Sequence, residues 1–169
     1  MSVQTNYSFQ GARGAAGGIV DLAPYEINTF LNAEDNGDMK VGIGVVQATT
    51  PGKDVKIPVA ASTVDKFEGV VTNNRTTEFD LDGKLYLRKG KALGVMRWGR
   101  VYVRVATGAT PAYGDVAYLI KSGDEAGFFT NTAGENTIPV KARFIGGVDT
   151  HGEAVAPIEL FNQANEATE

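Results

Sequence analysis

Cysteine is absent from the 169-residue chain, and that lack removes disulfide staples, thiolate nucleophiles and cysteine-bearing zinc sites together. Histidine occurs once, as His151, in the turn-like context Asp149-Thr150-His151-Gly152. None of the four serines, Ser2, Ser8, Ser62 and Ser122, sits in a nucleophile elbow that would make it a partner for this imidazole, and no metal-binding helix pair appears. Long apolar runs are also missing: nothing approaches the roughly 18 residues of a membrane-spanning helix. Residues 1–10 have neither the basic nor the apolar region of a secretory signal. The expectation is synthesis in the cytosol with no membrane association.

The motifs that faintly resemble chemistry are each incomplete. Residues 80–83, Asp-Leu-Asp-Gly, open like a calcium loop, but Lys84 places a positive charge at the next ligand position and Leu85 replaces the required glycine. The glycine-rich stretch 11–18 lacks a preceding buried strand and the Gly-Lys-Ser/Thr ending of a phosphate loop. Gly42-Ile43-Gly44 lacks a third glycine and a following helix. The 20 Asp and Glu residues are enough for an acid/base pair, yet they fall mostly in turns and at strand ends. The sequence therefore assigns no catalytic residue, no cofactor and no metal, and points away from an enzyme.

What the chain has in quantity is glycine, 21 residues, spread between short β-branched runs, as tight turns joining short strands require. An apolar fraction of 43% with 21% charged residues is that of a folding chain rather than a disordered one, and the length suffices for one core. Runs of strand length fall at 19–22, 25–31, 41–47, 55–60, 67–72, 85–88, 93–96, 100–106, 116–121, 140–145 and 154–161. The clearest is 100–106, where Val101, Val103 and Val105 share one face and Arg100, Tyr102 and Arg104 the other. Tyr25, Ile27 and Leu31 alternate as in a strand, although Ile27, Phe30 and Leu31 would equally suit one helical turn. Asp82-Gly83 marks a hairpin between 77 and 89. A three-residue loop there gathers Phe79, Leu81, Leu85 and Leu87 on one face. Gly99 predicts a sharp turn between the strands at 93–96 and 100–106.

These signals predict an all-β fold, a β-barrel or β-sandwich of short antiparallel strands forming a single domain over residues 19–161. An extended, flexible N-terminal arm, 1–18, precedes it, and a polar tail, 162–169, follows. The arm carries Tyr7 and Phe9 as possible anchors on a partner.

The net charge of −4 argues against general nucleic-acid binding. Residues 75–104 nevertheless hold eight Lys or Arg against three acids, a local +5 against −9 elsewhere. The segment reads either as a solvated strand face or as a patch that meets an acidic partner. Within it Trp98, flanked by Arg97 and Arg100, reads as an interface hot spot or as a buried cap on the barrel. The candidate partner-binding residues are Tyr7, Phe9, Arg13, Arg97, Trp98, Arg100 and Arg104.

The segments Phe67-Glu-Gly-Val-Val71, Leu93-Gly-Val-Met96, Gly99-Arg-Val-Tyr-Val103, Tyr113-Gly-Asp-Val-Ala117, Ala142-Arg-Phe-Ile-Gly146 and Ala154-Val-Ala-Pro-Ile-Glu-Leu160, in this order, resemble the head decoration, or cement, proteins of tailed bacteriophages. The resemblance runs over about residues 18–161. It implies a β-barrel or β-sandwich domain, often a homotrimer at threefold or quasi-threefold positions, that docks on the assembled major capsid protein and braces the shell. It further implies synthesis in the bacterial host cytoplasm and residence on the outer surface of the virion head, with no catalytic residues to carry over. The alternative expectation is a ligand- or carbohydrate-binding β module of a virion, with Trp98 and exposed tyrosines as stacking platforms.

Overall fold

A computed structural model of the chain describes residues 14–35, 38–73, 87–149 and 153–161. Among them are nine strands: β1 (Glu26–Asn32), β2 (Gly44–Gln47), β3 (Asp54–Lys56), β4 (Phe67–Val71), β5 (Ala92–Arg104), β6 (Val116–Ile120), β7 (Phe129–Thr130), β8 (Thr137–Phe144) and β9 (Val155–Leu160), with one 3-10 turn at Val64–Lys66. The strands join in the order β1-β3-β2-β4-β5-β9-β8-β6-β7, and β1 also pairs with β5. That extra pairing closes β1, β3, β2, β4 and β5 into a barrel, which removes the free edges of these strands. The expectation of an all-β barrel is met.

The barrel interior is filled by Phe30, Met39, Ile43, Val45, Val55, Val71, Leu87, Leu93 and Val95. A second, larger core lies between the barrel's outer wall and the sheet β5-β9-β8-β6-β7. Phe67, Val70 and Met96 of the barrel meet Val101, Val103, Leu119, Phe129, Phe144, Ile158 and Leu160 there. Burying each such side chain contributes about 1.5–3 kcal/mol.

β5 is the one strand shared by both layers. Its 13 residues pair with β1 and β4 through the first half and with β9 through the second, from Gly99↔Leu160 to Arg104↔Val155. The turn expected at Gly99 is absent: the chain continues as strand, with Gly99 at φ 124°. What happens instead is a slip of one residue. Glu26 lies opposite Trp98 but Ile27 opposite Met96, so Arg97 is an extra residue, a β-bulge. Because side chains alternate, one inserted residue exchanges the two faces of the strand. The second core therefore takes Met96 before the bulge and Val101, Val103 and Val105 after it. β4 does the same: Val45 faces Gly69 while Val46 faces Phe67, leaving Glu68 as its extra residue.

β1 forms as a strand, not a helical turn, yet it buries Phe30 and Asn32 rather than Leu31. Residues 14–20 lie along β5. Gly17 N–H donates to Tyr102 O at 2.7 Å, Tyr102 N–H to Gly18 O at 2.9 Å and Val20 N–H to Arg100 O at 3.0 Å. The boundary drawn at residue 18 thus falls inside a segment seated on the body. The hairpin expected at 77–89 lies almost wholly outside the described residues, as do His151 and the tail.

Gly69, at φ 145°, allows the β4 bulge to exist: a Cβ there would overlap the Met96 carbonyl oxygen. Gly52, at φ 75°, has open space around it. Gly69→Ala should therefore cost about 3 kcal/mol of unfolding free energy and Gly52→Ala about 1 kcal/mol, measured by denaturant melts. Equal costs at the two positions would contradict the packing described.

Candidate binding surface

After the bulge, alternation turns Arg100, Tyr102 and Arg104 outward while Val101 and Val103 are buried. Trp98 faces the same way, since it stands opposite Glu26 and on the other side of the strand from Met96. Next to β5, strand β9 alternates likewise and turns Pro157, Glu159 and Phe161 outward, and β8 turns out Arg143. Register brings these together, with Arg100↔Glu159 and Arg143↔Glu159 as cross-strand neighbours.

The result is a row of alternating charge across the sheet. Asp21 Oδ2 accepts from Arg100 Nη1 at 2.8 Å, and Glu159 Oε1 accepts from Arg100 Nε at 3.1 Å. Glu159 Oε2 accepts from Arg143 Nε at 2.8 Å, with Arg143 Nη2 at 2.6 Å. The Arg143 guanidinium lies 5.9 Å from the Tyr113 ring centre and 5.8 Å from that of Phe161, within cation–π range of both. The hydrogen bond from Arg143 pulls the Glu159 carboxyl below its ordinary value; burial opposes this and Arg100 adds to it. Arg100 lowers Asp21 in the same way, helped by the Ala23 N–H, and these two acids hold Arg100 more firmly charged.

The other candidate arginines are also engaged. Arg104 pairs with Glu153 and donates from Nε to Val41 O at 2.8 Å. Arg97 lies with Nε 3.6 Å from Glu68 Oε2, beyond a good hydrogen bond. Its partner Glu68 is buried and accepts from Gln47 Nε2 at 2.6 Å. The ion pair thus joins the two bulge residues of β4 and β5 and belongs to the bend. Arg97, Arg100 and Arg104, three of the eight basic residues of the 75–104 segment, are all balanced by acids from other parts of the chain. Trp98 is no buried cap: it is 44% exposed. Tyr7, Phe9 and Arg13 lie outside the described residues.

A separate groove of about 540 Å³ runs past Glu34, Asp38, Lys40, Ile57, Asp124 and Phe128. Two of its polar groups serve the fold: Glu34 accepts from the Ile57 N–H at 2.8 Å, and Lys40 lies 5.7 Å from the Phe128 ring centre. Among the described residues no three acids or histidines converge as metal ligands.

Sequence reasoning missed Asp21, Arg143 and Glu159 in the row, and Tyr113 and Phe161 beside it. Alternation within 137–144 and 155–160 could have marked Arg143 and Glu159 as polar-face residues. Nothing local says that the two strands are neighbours.

A closed barrel carrying a second sheet, with aromatic rings and self-balanced charge on that sheet's outer face, is the framework of a protein that works through its surface. The model of the family described as "Structural cement protein (E217 gp24/Pam3 gp6)" matches residues 3–161, and the chain belongs to this phage cement family. Membership gives it a structural, capsid-stabilising role. No curated protein matches the chain. Among solved structures, a chain of "The capsid of Myoviridae Phage XM1" is similar in fold, with a TM-score of 0.69 at 18% identity over 97% of this chain and 100% of that one.

Because Asp21 and Glu159 have lowered pKa values in the fold, their stabilisation is present above the unfolded carboxylate range near pH 4 and is lost as pH falls through the folded values. Glu159→Gln should lower stability at pH 7 by about 1 kcal/mol and flatten the loss between about pH 5 and 2. Thermal melts across that range check it; an unchanged acid limb would show that the row contributes nothing.

Proposed function

We propose that the protein binds the outer surface of the assembled phage head, docking on the major capsid protein as a homotrimer at threefold or quasi-threefold positions, and stabilises the shell without catalysis. The observation that carries this reading is the family match across residues 3–161. The physics needs no reaction: a protein that binds only the closed lattice stabilises it by mass action. Many copies bridging subunit boundaries multiply the effect, and closed oligomers suit symmetry axes of the same order. Trp98 on the body, with Tyr7, Phe9 and Arg13 ahead of Gly14, supplies aromatic and planar groups of the kind that dominate interfaces.

Purified protein added to undecorated heads should co-sediment with them at micromolar concentration and raise the temperature at which they rupture. Removal of residues 1–13 should weaken that binding about tenfold or more and leave the melt of the body unchanged. A folded protein that stays in the supernatant would overturn the reading.

A further inference from the structure

We propose that the outward face of β5, β9, β8 and β6 is the surface that seats on the shell, and that it adheres as a neutral, aromatic contact and not by charge attraction. This rests on the reading given under Proposed function.

The first observation is where exposed apolar surface collects. Trp98 and Phe161, each 44% exposed, Val116 at 50% and Tyr113 at 71% all belong to this face, and Leu22, 99% exposed, stands at its margin beside Asp21. Trp98 and Phe161 flank the Gly99↔Leu160 pair from the two adjoining strands, while Val116 lies opposite Arg143. Scattered single hydrophobics on a surface are ordinary, but a contiguous cluster marks an interaction site.

The second observation is how the charge between these rings is disposed. Asp21, Arg100, Glu159 and Arg143 sum to zero, and each has its counter-charge within the row; Lys141, exposed on the same face of β8, is a further charge beside it. A partner with a strong charge of either sign would find no free opposite charge in the row. A neutral, largely apolar protein surface would find aromatic anchors set among polar groups already satisfied, so covering them leaves none unpaired. Screening by salt acts on attraction between separate charges and has little to act on here.

The third observation fixes the occupant. Gly14 lies against the outward ring of Tyr102, so close that a Cβ on it would overlap the ring's Cδ2 and Cε2. The thirteen residues before it therefore join the body at this same face, and they can reach up to about 45 Å from it. Under Proposed function these residues carry shell anchors, and the face at which they join the body is the one from which they meet the shell over the shortest span, which favours the shell as its occupant. A second copy is the weaker occupant. The row Asp21–Arg100–Glu159–Arg143 would oppose itself about a twofold axis, but charges already paired within the chain gain little from a second pairing at a surface.

The test uses full-length wild type and the double variant Trp98→Ala/Phe161→Ala, with undecorated heads, at low and high salt. Both side chains are half exposed, so the variant should keep the wild-type melt; Tyr113→Ala gives an independent probe of the same face. The double variant should bind heads about a hundredfold more weakly, and wild-type affinity should change less than about threefold between about 0.1 and 0.5 M salt. A folded double variant that binds like wild type overturns the proposal while leaving the function standing, as does a steep salt dependence. A variant that loses self-association but still coats heads gives the face to a second copy and also overturns it. Wild type that never binds heads overturns the function itself.

Discussion

The fold depends on a single constraint: β5 must serve two layers at once. A strand can bury only one of its faces in a given core, yet β5 lines the barrel with Leu93 and Val95 and the second core with Met96, Val101 and Val103. The extra residue Arg97 makes this geometrically possible by exchanging the faces midway, and the matching extra residue Glu68 on β4 lets the neighbouring strand follow. That these two residues form an ion pair is a direct consequence. Each bulge expels one side chain from the regular alternation, and the two expelled side chains are of opposite charge. Removing Arg97 would strand the buried carboxylate of Glu68 without its counter-charge, which is costly.

The outward face follows from the same exchange. Had β5 continued without a bulge, Trp98, Arg100 and Tyr102 would point into the second core and the valines out of it. With the bulge, the aromatic and charged residues emerge on a surface braced by β9 and β8, and their charges are neutralised by acids that arrive from distant parts of the chain. As the proposed contact surface, a sheet face with its charges paired and its rings projecting is ordered before any partner arrives, so little conformational entropy remains to be lost on binding.

Much of this was legible in the sequence because it is local. The valine alternation at 101, 103 and 105 gave both the strand and its faces, and the glycine-punctuated short runs gave the all-β class. What was illegible depends on register between strands far apart. Gly99 looked like a turn because glycine at positive φ serves turns and bulges alike, and only pairing with β1 and β9 distinguishes them. β7 has two residues, too few for any periodicity. Within the described part of the 75–104 segment the positive charge of Arg100 is real as composition but misleading as a surface property: Asp21 reaches it from 79 residues away and Glu159 from 59, and linear charge counting is blind to such pairs. The alternation of Ile27 and Leu31 marks one face of β1 without saying which face is buried: Ile27 packs against the second core, while Phe30, on the opposite face, fills the barrel.

On the proposed reading the chain is a brace whose second sheet meets the shell. Electron microscopy of heads carrying the bound protein, at a resolution sufficient to orient the domain, tests it most directly. The account predicts density continuous between the capsid surface and the β5-β9-β8 face, with the barrel pointing away into solvent. A domain seated by its barrel, with Trp98 and Phe161 facing solvent, would contradict it.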